Sequence, residues 1–177
     1  MSCEILTGYT KPDCRSTGGI KQIVVYTLKN RTDGGTLTYA DGEITDITLA
    51  SGKYAYSFGL EQDLSSFVET LVGSRENNTF NVTQAGTIIL NDNRKETRNL
   101  INLMGRSTGI GVIGEDQDGV WRHYGLIGGM TLNEGEVGSG AARGDRNGSS
   151  LTLAATENEL APTIEAALVT ALLAPES

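Results

Sequence analysis

The stretch "SSFVETLVGSRENNTFNVTQAGTIIL", residues 65–90, decides the fold. Both arms are rich in β-branched and aromatic residues, the composition of a pleated, half-buried surface. Between them "GSRENNT" carries Asn77-Asn78, both tolerant of the left-handed backbone that tight turns require. Residues 66–90 therefore read as one long β-hairpin.

The segments around it read alike. "YAYSFGL" (54–60) places Tyr54, Tyr56, Phe58 and Leu60 on one face and Ala55, Ser57 and Gly59 on the other, the two-residue period of a half-buried strand. "KQIVVYTLK" (21–29) and "TLTYA" (36–40) are further strands, and "GIGVIGEDQDGVWRHYGLIGGMTL" folds back on itself at "EDQDG" as a second hairpin. "SSLTLAA" (149–155) is the final strand, with Leu151 and Leu153 on one side.

One helix interrupts the strands. In "NDNRKETRNLINLMGRS" (91–107), Asn93 is the expected N-cap with Glu96 three residues on. Thr97, Leu100, Ile101 and Met104 share a face, and Gly105 is the expected stop. The tail "APTIEAALVTALLAP" reads as a short helix from Pro162, ordered against a neighbour. The expected architecture is mainly β, a β-sandwich or distorted barrel with one flanking α-helix and long hairpin and loop excursions. A single domain spans residues 1–177, with segments 1–18 and 160–177 completed by neighbouring subunits.

Length and charge narrow the function classes. A chain of 177 residues buries roughly 70% of the surface its unfolded form exposes, enough for a core without disulfides or metal. The net charge of −8 argues against a nucleic-acid-gripping or membrane-surface module, which needs a basic face. "MSCEILTGYTKPDC" lacks the basic-then-apolar pattern of a secretion signal, so the protein is expected to act without secretion, and Cys3 and Cys14 to be free thiols. Two thiols are too few for a structural zinc.

Motifs for catalysis fail one by one. The glycine-rich run "GEVGSGAARGDRNGSS" (135–150) leads into a strand, whereas a phosphate loop needs Lys and Ser/Thr at a helix start. "RGD" (143–145) is a turn. "DQDG" (116–119) opens like a calcium loop, but its twelfth position is Ile127 instead of a bidentate Glu. His123, the only histidine, has no orienting acid or nucleophile marked by spacing. No catalytic residue, cofactor site or metal site is assigned.

The segments "SSFVETLVGSREN" and "GMTLNEGEVGSGAARGDRNGSSLTL", in this order of strands, hairpin, helix and hairpin, resemble structural proteins of tailed bacteriophages, most closely tail tube proteins. The resemblance extends to the inner-tube proteins of contractile injection systems and to small virion proteins of phages of Bacteroidetes hosts. It covers about residues 14–160. It implies subunits that form six-membered rings by continuing sheets between copies, and rings that stack into a hollow tube. It implies no enzyme activity and no cofactor. The partners it implies are further copies of the chain and other phage tail or neck proteins, with DNA passing through unbound and no membrane. The implied location is the virion tail, assembled in the bacterial cytoplasm.

On that resemblance the hairpin and the loops at 31–46 and 133–150 reach neighbours, with Arg75, Asn77, Asn78, Phe80, Gly138, Arg143 and Asp145 at the interfaces. Asp63, Glu69 and Glu76 are the expected lumen residues, within a net-negative wall. The glycines of the 133–150 loop leave it free to order on stacking. Two rivals stand beside this: a capsid decoration or head–tail connector protein, and a small hydrolase or ligand-binding barrel using His123 and nearby carboxylates.

Overall fold

A computed structural model describes residues 8–174 apart from 12, 14, 15, 33–37 and 62. Cys3 and Cys14 lie outside the described residues, as does part of the 31–46 loop. The elements in order are β1 (Ile20–Thr27), a 3₁₀ turn (Leu28–Asn30), β2 (Thr38–Ala40), β3 (Glu43–Asp46), β4 (Tyr56–Gly59), β5 (Ser66–Ser74) and β6 (Thr79–Leu90). There follow α1 (Lys95–Arg106), β7 (Ile110–Asp116), β8 (Trp121–Tyr124), β9 (Thr131–Gly138), β10 (Gly148–Glu157), β11 (Thr163–Ile164) and α2 (Ala166–Leu172).

These strands build two sheets, a seven-stranded one ordered β2-β3-β11-β8-β7-β1-β4 and a four-stranded one ordered β5-β6-β10-β9. Among the described residues every strand ladder is antiparallel except the short β11–β3 one, and an isolated parallel bridge joins Ala55 to Leu173. Neither sheet closes into a barrel. Between them lies one apolar cluster, with Ile23, Val25, Val112 and Tyr124 from the larger sheet meeting Ile88, Leu151 and Leu153 from the smaller. The larger sheet is buried on its other face as well, where Val24, Tyr26 and Ile113 pack under Val169 and Leu172 of α2. The order is thus four-stranded sheet, seven-stranded sheet, α2.

The hairpin of residues 66–90 forms as its sequence predicts. Every β5 residue from Ser66 to Ser74 pairs in register with β6, and Asn78 closes the turn with φ of +49°. Two aromatic rings lie across opposite glycines: Phe67 over Gly86, and Tyr26 over Gly111. A Cβ at either glycine would collide with the ring. Phe67 then stacks on Tyr124 at 4.4 Å between ring centres, tying the two sheets together.

Several expectations are corrected. β9 is an eight-residue strand where the glycine-rich run predicts a loop from 133, and the connecting loop is confined to residues 139–147. α1 starts after Arg94, with the Asp92 carboxylate accepting from the Arg94 N–H and the Thr97 hydroxyl, so Asp92 replaces Asn93 as the group that orders its entry. Gly105 sits inside the helix, which ends at Arg106. In residues 54–60 the small residue Ala55 is fully buried while Tyr54 and Tyr56 remain largely exposed beside α1. α2 begins at Ala166, after β11, instead of at Pro162, and packs on its own chain through Val169 and Leu172.

Candidate functional site

His123 lies on β8 facing the cluster beneath α2, with no exposed surface. Its Nε2 shares a hydrogen bond of 2.7 Å with the Tyr26 hydroxyl, and its ring meets the Tyr26 ring edge-on. Among the described residues nothing partners Nδ1. Burial pulls the imidazole pKa down to about 3, and the positive charge of Arg31 adds to the effect. A general base must touch its substrate. This one is a neutral core group locked to a tyrosine.

The carboxylates near the core are committed within the fold, Glu115 on β7 accepting from Lys21 Nζ and Gln22 Nε2. Glu69 projects from β5 toward the space between the sheets, where its Oε1 accepts from Gln84 Nε2 at 3.0 Å and from the Ala161 N–H at 2.7 Å. Gln84, 1% exposed, passes the link on by accepting from the Gly125 N–H. Glu157, 5% exposed at the end of β10, accepts from the Ile127 and Gly128 N–H groups. These bonds satisfy loop donors that would otherwise be buried without partners. Among the described residues no group of His, Cys, Asp or Glu is placed to hold a metal ion. No helix among them is long and apolar enough to cross a membrane.

What remains is a surface. Register and burial fix the outward face of the four-stranded sheet, because directly paired residues share a face. β10 turns Leu151, Leu153 and Ala155 inward and Ser150, Thr152, Ala154 and Thr156 outward. Opposite them, β6 turns out Thr83, Ala85, Thr87 and Ile89. β5 adds Val68, Thr70 and Val72, and β9 adds Glu134 and Glu136. Among the described residues no Lys or Arg stands on this face, and its only charges are the two glutamates. Beyond its ends stand Arg75 in the β5–β6 turn and Arg143 and Arg146 in the β9–β10 loop.

The edges of this sheet matter as much as its face. Among the described residues β5 and β9 have a partner on one side only. Three successive antiparallel pairings make them run in opposite directions. At the far end of the hairpin the core-side residues Leu71 and Phe80 are more than half exposed.

The sequence-predicted residues fall into distinct places. Arg75, Glu76, Asn77 and Asn78 form the exposed turn of the hairpin, and Asp63 sits in the exposed turn before β5 with φ of +62°. Gly138 ends β9 opposite Gly148. Arg143 is exposed at the loop tip, while the Asp145 carboxylate accepts from the Ala141 and Ala142 N–H groups at 2.9 and 2.8 Å. The loop is thus internally braced, in contrast to the free loop the glycines predict. Glu69 is drawn into the fold's own network and Glu76 sits at a turn, so neither belongs to the sheet face. Sequence reasoning misses Glu134 and Glu136 because "NEGEVG" reads as part of the glycine-rich loop, and only its ladder to β10 makes it a strand. Comparison with protein-family models, with curated proteins and with solved structures finds no match.

Proposed function

We propose that the protein is a self-assembling structural subunit, a tail tube protein whose four-stranded sheet lines a channel for DNA. The observation that carries this is the outward face of that sheet, free of cations across its described strands and flanked by two open edges. Proteins that hold nucleic acid do so with Lys and Arg, each phosphate contact releasing counterions and adding affinity. A wall of threonine, serine and alanine with Val68, Val72 and Ile89 among them, and Glu134 and Glu136 as its charges, supplies no such grip, so a polyanion slides past it.

The open edges give the means of closure. A neighbour generated by rotation about an axis along the strands keeps strand direction, so its β9 meets β5 antiparallel and the ladder continues. Pairing of two β9 edges is disfavoured, because it sets Glu134 and Glu136 against their own copies. Long unpaired edges are otherwise an aggregation hazard, and ring closure removes them. Six copies is the number that the resemblance to tail tube proteins implies.

Negative-stain electron microscopy of the purified protein tests the proposal. Rings or tubes are the expected result; a lasting monomer at high concentration defeats it. A capsid-associated role would appear as binding to heads with no tube. The hydrolase alternative loses its base in His123, which no substrate reaches.

A further inference from the structure

We infer that the outer edge of β4 is a docking site for an extended peptide of a partner protein, one with apolar side chains two residues apart and an acidic group beside them. This does not depend on the assembly proposed above. The Leu60 N–H donates to the Lys21 carbonyl at 3.2 Å, so Lys21 and Leu60 are a hydrogen-bonded pair of the β1–β4 ladder. Such pairs alternate along an antiparallel ladder, and the next two are Ile23–Phe58 and Val25–Tyr56. Ser57 and Gly59 therefore turn their N–H and C=O groups away from β1, where no described residue bonds them.

Ala55 shows the same edge in use. Its N–H donates to the Leu172 carbonyl at 2.8 Å and its carbonyl accepts from the Ala174 N–H at 3.2 Å, the parallel bridge to Leu173. The edge thus takes up extended backbone where the chain supplies it, and two residues further on it offers the same groups at Ser57.

The side chains beside the edge set the sequence it takes. Tyr56 and Phe58 share a face with Val25 and Ile23, the face that α1 borders, while Ser57 shares the opposite one with Val24. Between β4 and α1 lie two hollows of about 330 and 320 Å³, which share Phe58 and Leu100 as a common wall. Each exceeds the ~300 Å³ at which binding pockets begin. At the first, Tyr56 is 59% and Leu103 68% exposed, two large apolar groups left facing water. A strand laid against Ser57 turns the residues on either side of its contact toward α1, one beside Tyr56 and Leu103 and the other beside Phe58 and Leu100. In such docking the main-chain bonds supply affinity and the pockets for alternate side chains supply the choice of sequence. Charge adds the third element. Lys53 is the one charged residue among the described lining of the first hollow, whereas Glu61 and Asp92 at the second are offset by Arg94, bonded to Asp92 at 3.0 Å. The acidic group of the peptide belongs at the Lys53 end.

The test is selection from a displayed library of random octapeptides on the full chain, followed by titration and amide exchange with each synthesised peptide. Enriched sequences are expected to carry apolar residues two apart with an Asp or Glu, and to slow exchange at the Ser57 and Gly59 amides by about tenfold or more. Ser57→Pro removes an N–H that the ladder to β1 does not use, a change an edge strand tolerates, and should weaken binding by about tenfold or more with the circular dichroism unchanged. Leu103→Asp, at an exposed helix position, should weaken it as well, which keeps the test decisive if the proline variant fails to fold. A library without enrichment overturns the inference. So does binding that leaves the two amides exchanging as before, or that survives Ser57→Pro in a folded protein. Slow exchange at both amides in the absence of peptide overturns it too. If that protection grows with protein concentration, a second copy holds the edge; if it is lost on removing residues 175–177, the chain's own end does.

Discussion

Acid should loosen this fold before it reaches the carboxylate range, and His123 is the reason. Its pKa is about 3 in the folded chain because of burial and the nearby Arg31 charge, against 6.5 for the free side chain. Above pH 6.5 both states hold a neutral imidazole and no stability depends on it. Below 6.5 the unfolded chain binds a proton that the folded chain refuses, so stability falls by about 1.4 kcal/mol per pH unit until the folded pKa is reached. Between pH 6.5 and 5 the loss is about 2 kcal/mol, a large part of the ~5–15 kcal/mol that holds a domain together. The depressed carboxylates act lower. Asp92, held down to about 2 mainly by the Thr97 hydroxyl and Arg94, and Asp145, held down by two backbone N–H groups, withdraw their support only as pH falls below about 4. Urea unfolding at pH 7.5 and pH 5 measures the effect. The control is Tyr26→Phe/His123→Leu, which removes the titrating ring together with the hydroxyl that it partners. The double variant should lose about 2 kcal/mol less than wild type across that interval. Equal losses in both proteins would refute the assignment.

Other outcomes follow from the same contacts. Gly111→Ala should cost about 1–3 kcal/mol in chemical denaturation by forcing the Tyr26 ring off the strand, with the Tyr26–His123 bond lost from the imidazole NMR signals. Gln84→Ala leaves the Gly125 N–H without its acceptor, and should destabilise by about 1–3 kcal/mol where an exposed Gln-to-Ala change costs almost nothing. Asp145→Ala should leave the melting temperature unchanged while amide exchange at Ala141 and Ala142 rises sharply, because the bonds lost are confined to the loop. Thr83→Arg/Thr87→Arg places cations on the sheet face; the assembled variant should retain DNA at low salt and release it at high salt, whereas wild type retains none at either.

Much of this fold is visible in the residues. β5 and β6 declare themselves because branched and aromatic residues fill both arms and Asn78 supplies the turn, all local properties. β9 does not, because "NEGEVG" has poor intrinsic strand preference and is held extended by its ladder to β10, a tertiary partner that the sequence does not name. The sequence places the entry to α1 one residue early, at Asn93 instead of Arg94, since Asp92 and Asn93 are both good capping residues and only geometry shows which oxygen meets Thr97. Glu69 reads as a surface charge on an exposed strand, yet its partners Gln84 and Ala161 come from two other parts of the chain. The cation-free face was beyond reach for the same reason as β9, since it exists only once four separate segments are set side by side in register.

The unequal burial of the two sheets separates the work of folding from the work of the exposed face. The seven-stranded sheet is packed on both sides and the four-stranded sheet on one, so each outward position of β6 and β10 sits beside an inward neighbour that alone serves the core. Substitutions at those outward positions create no cavity and strand no buried polar group, and they fall in the class that shifts stability by less than about 0.5 kcal/mol. So far as stability goes, the chemistry of that wall can therefore be rewritten, by selection for its task or by design, at a pace that the interior cannot follow.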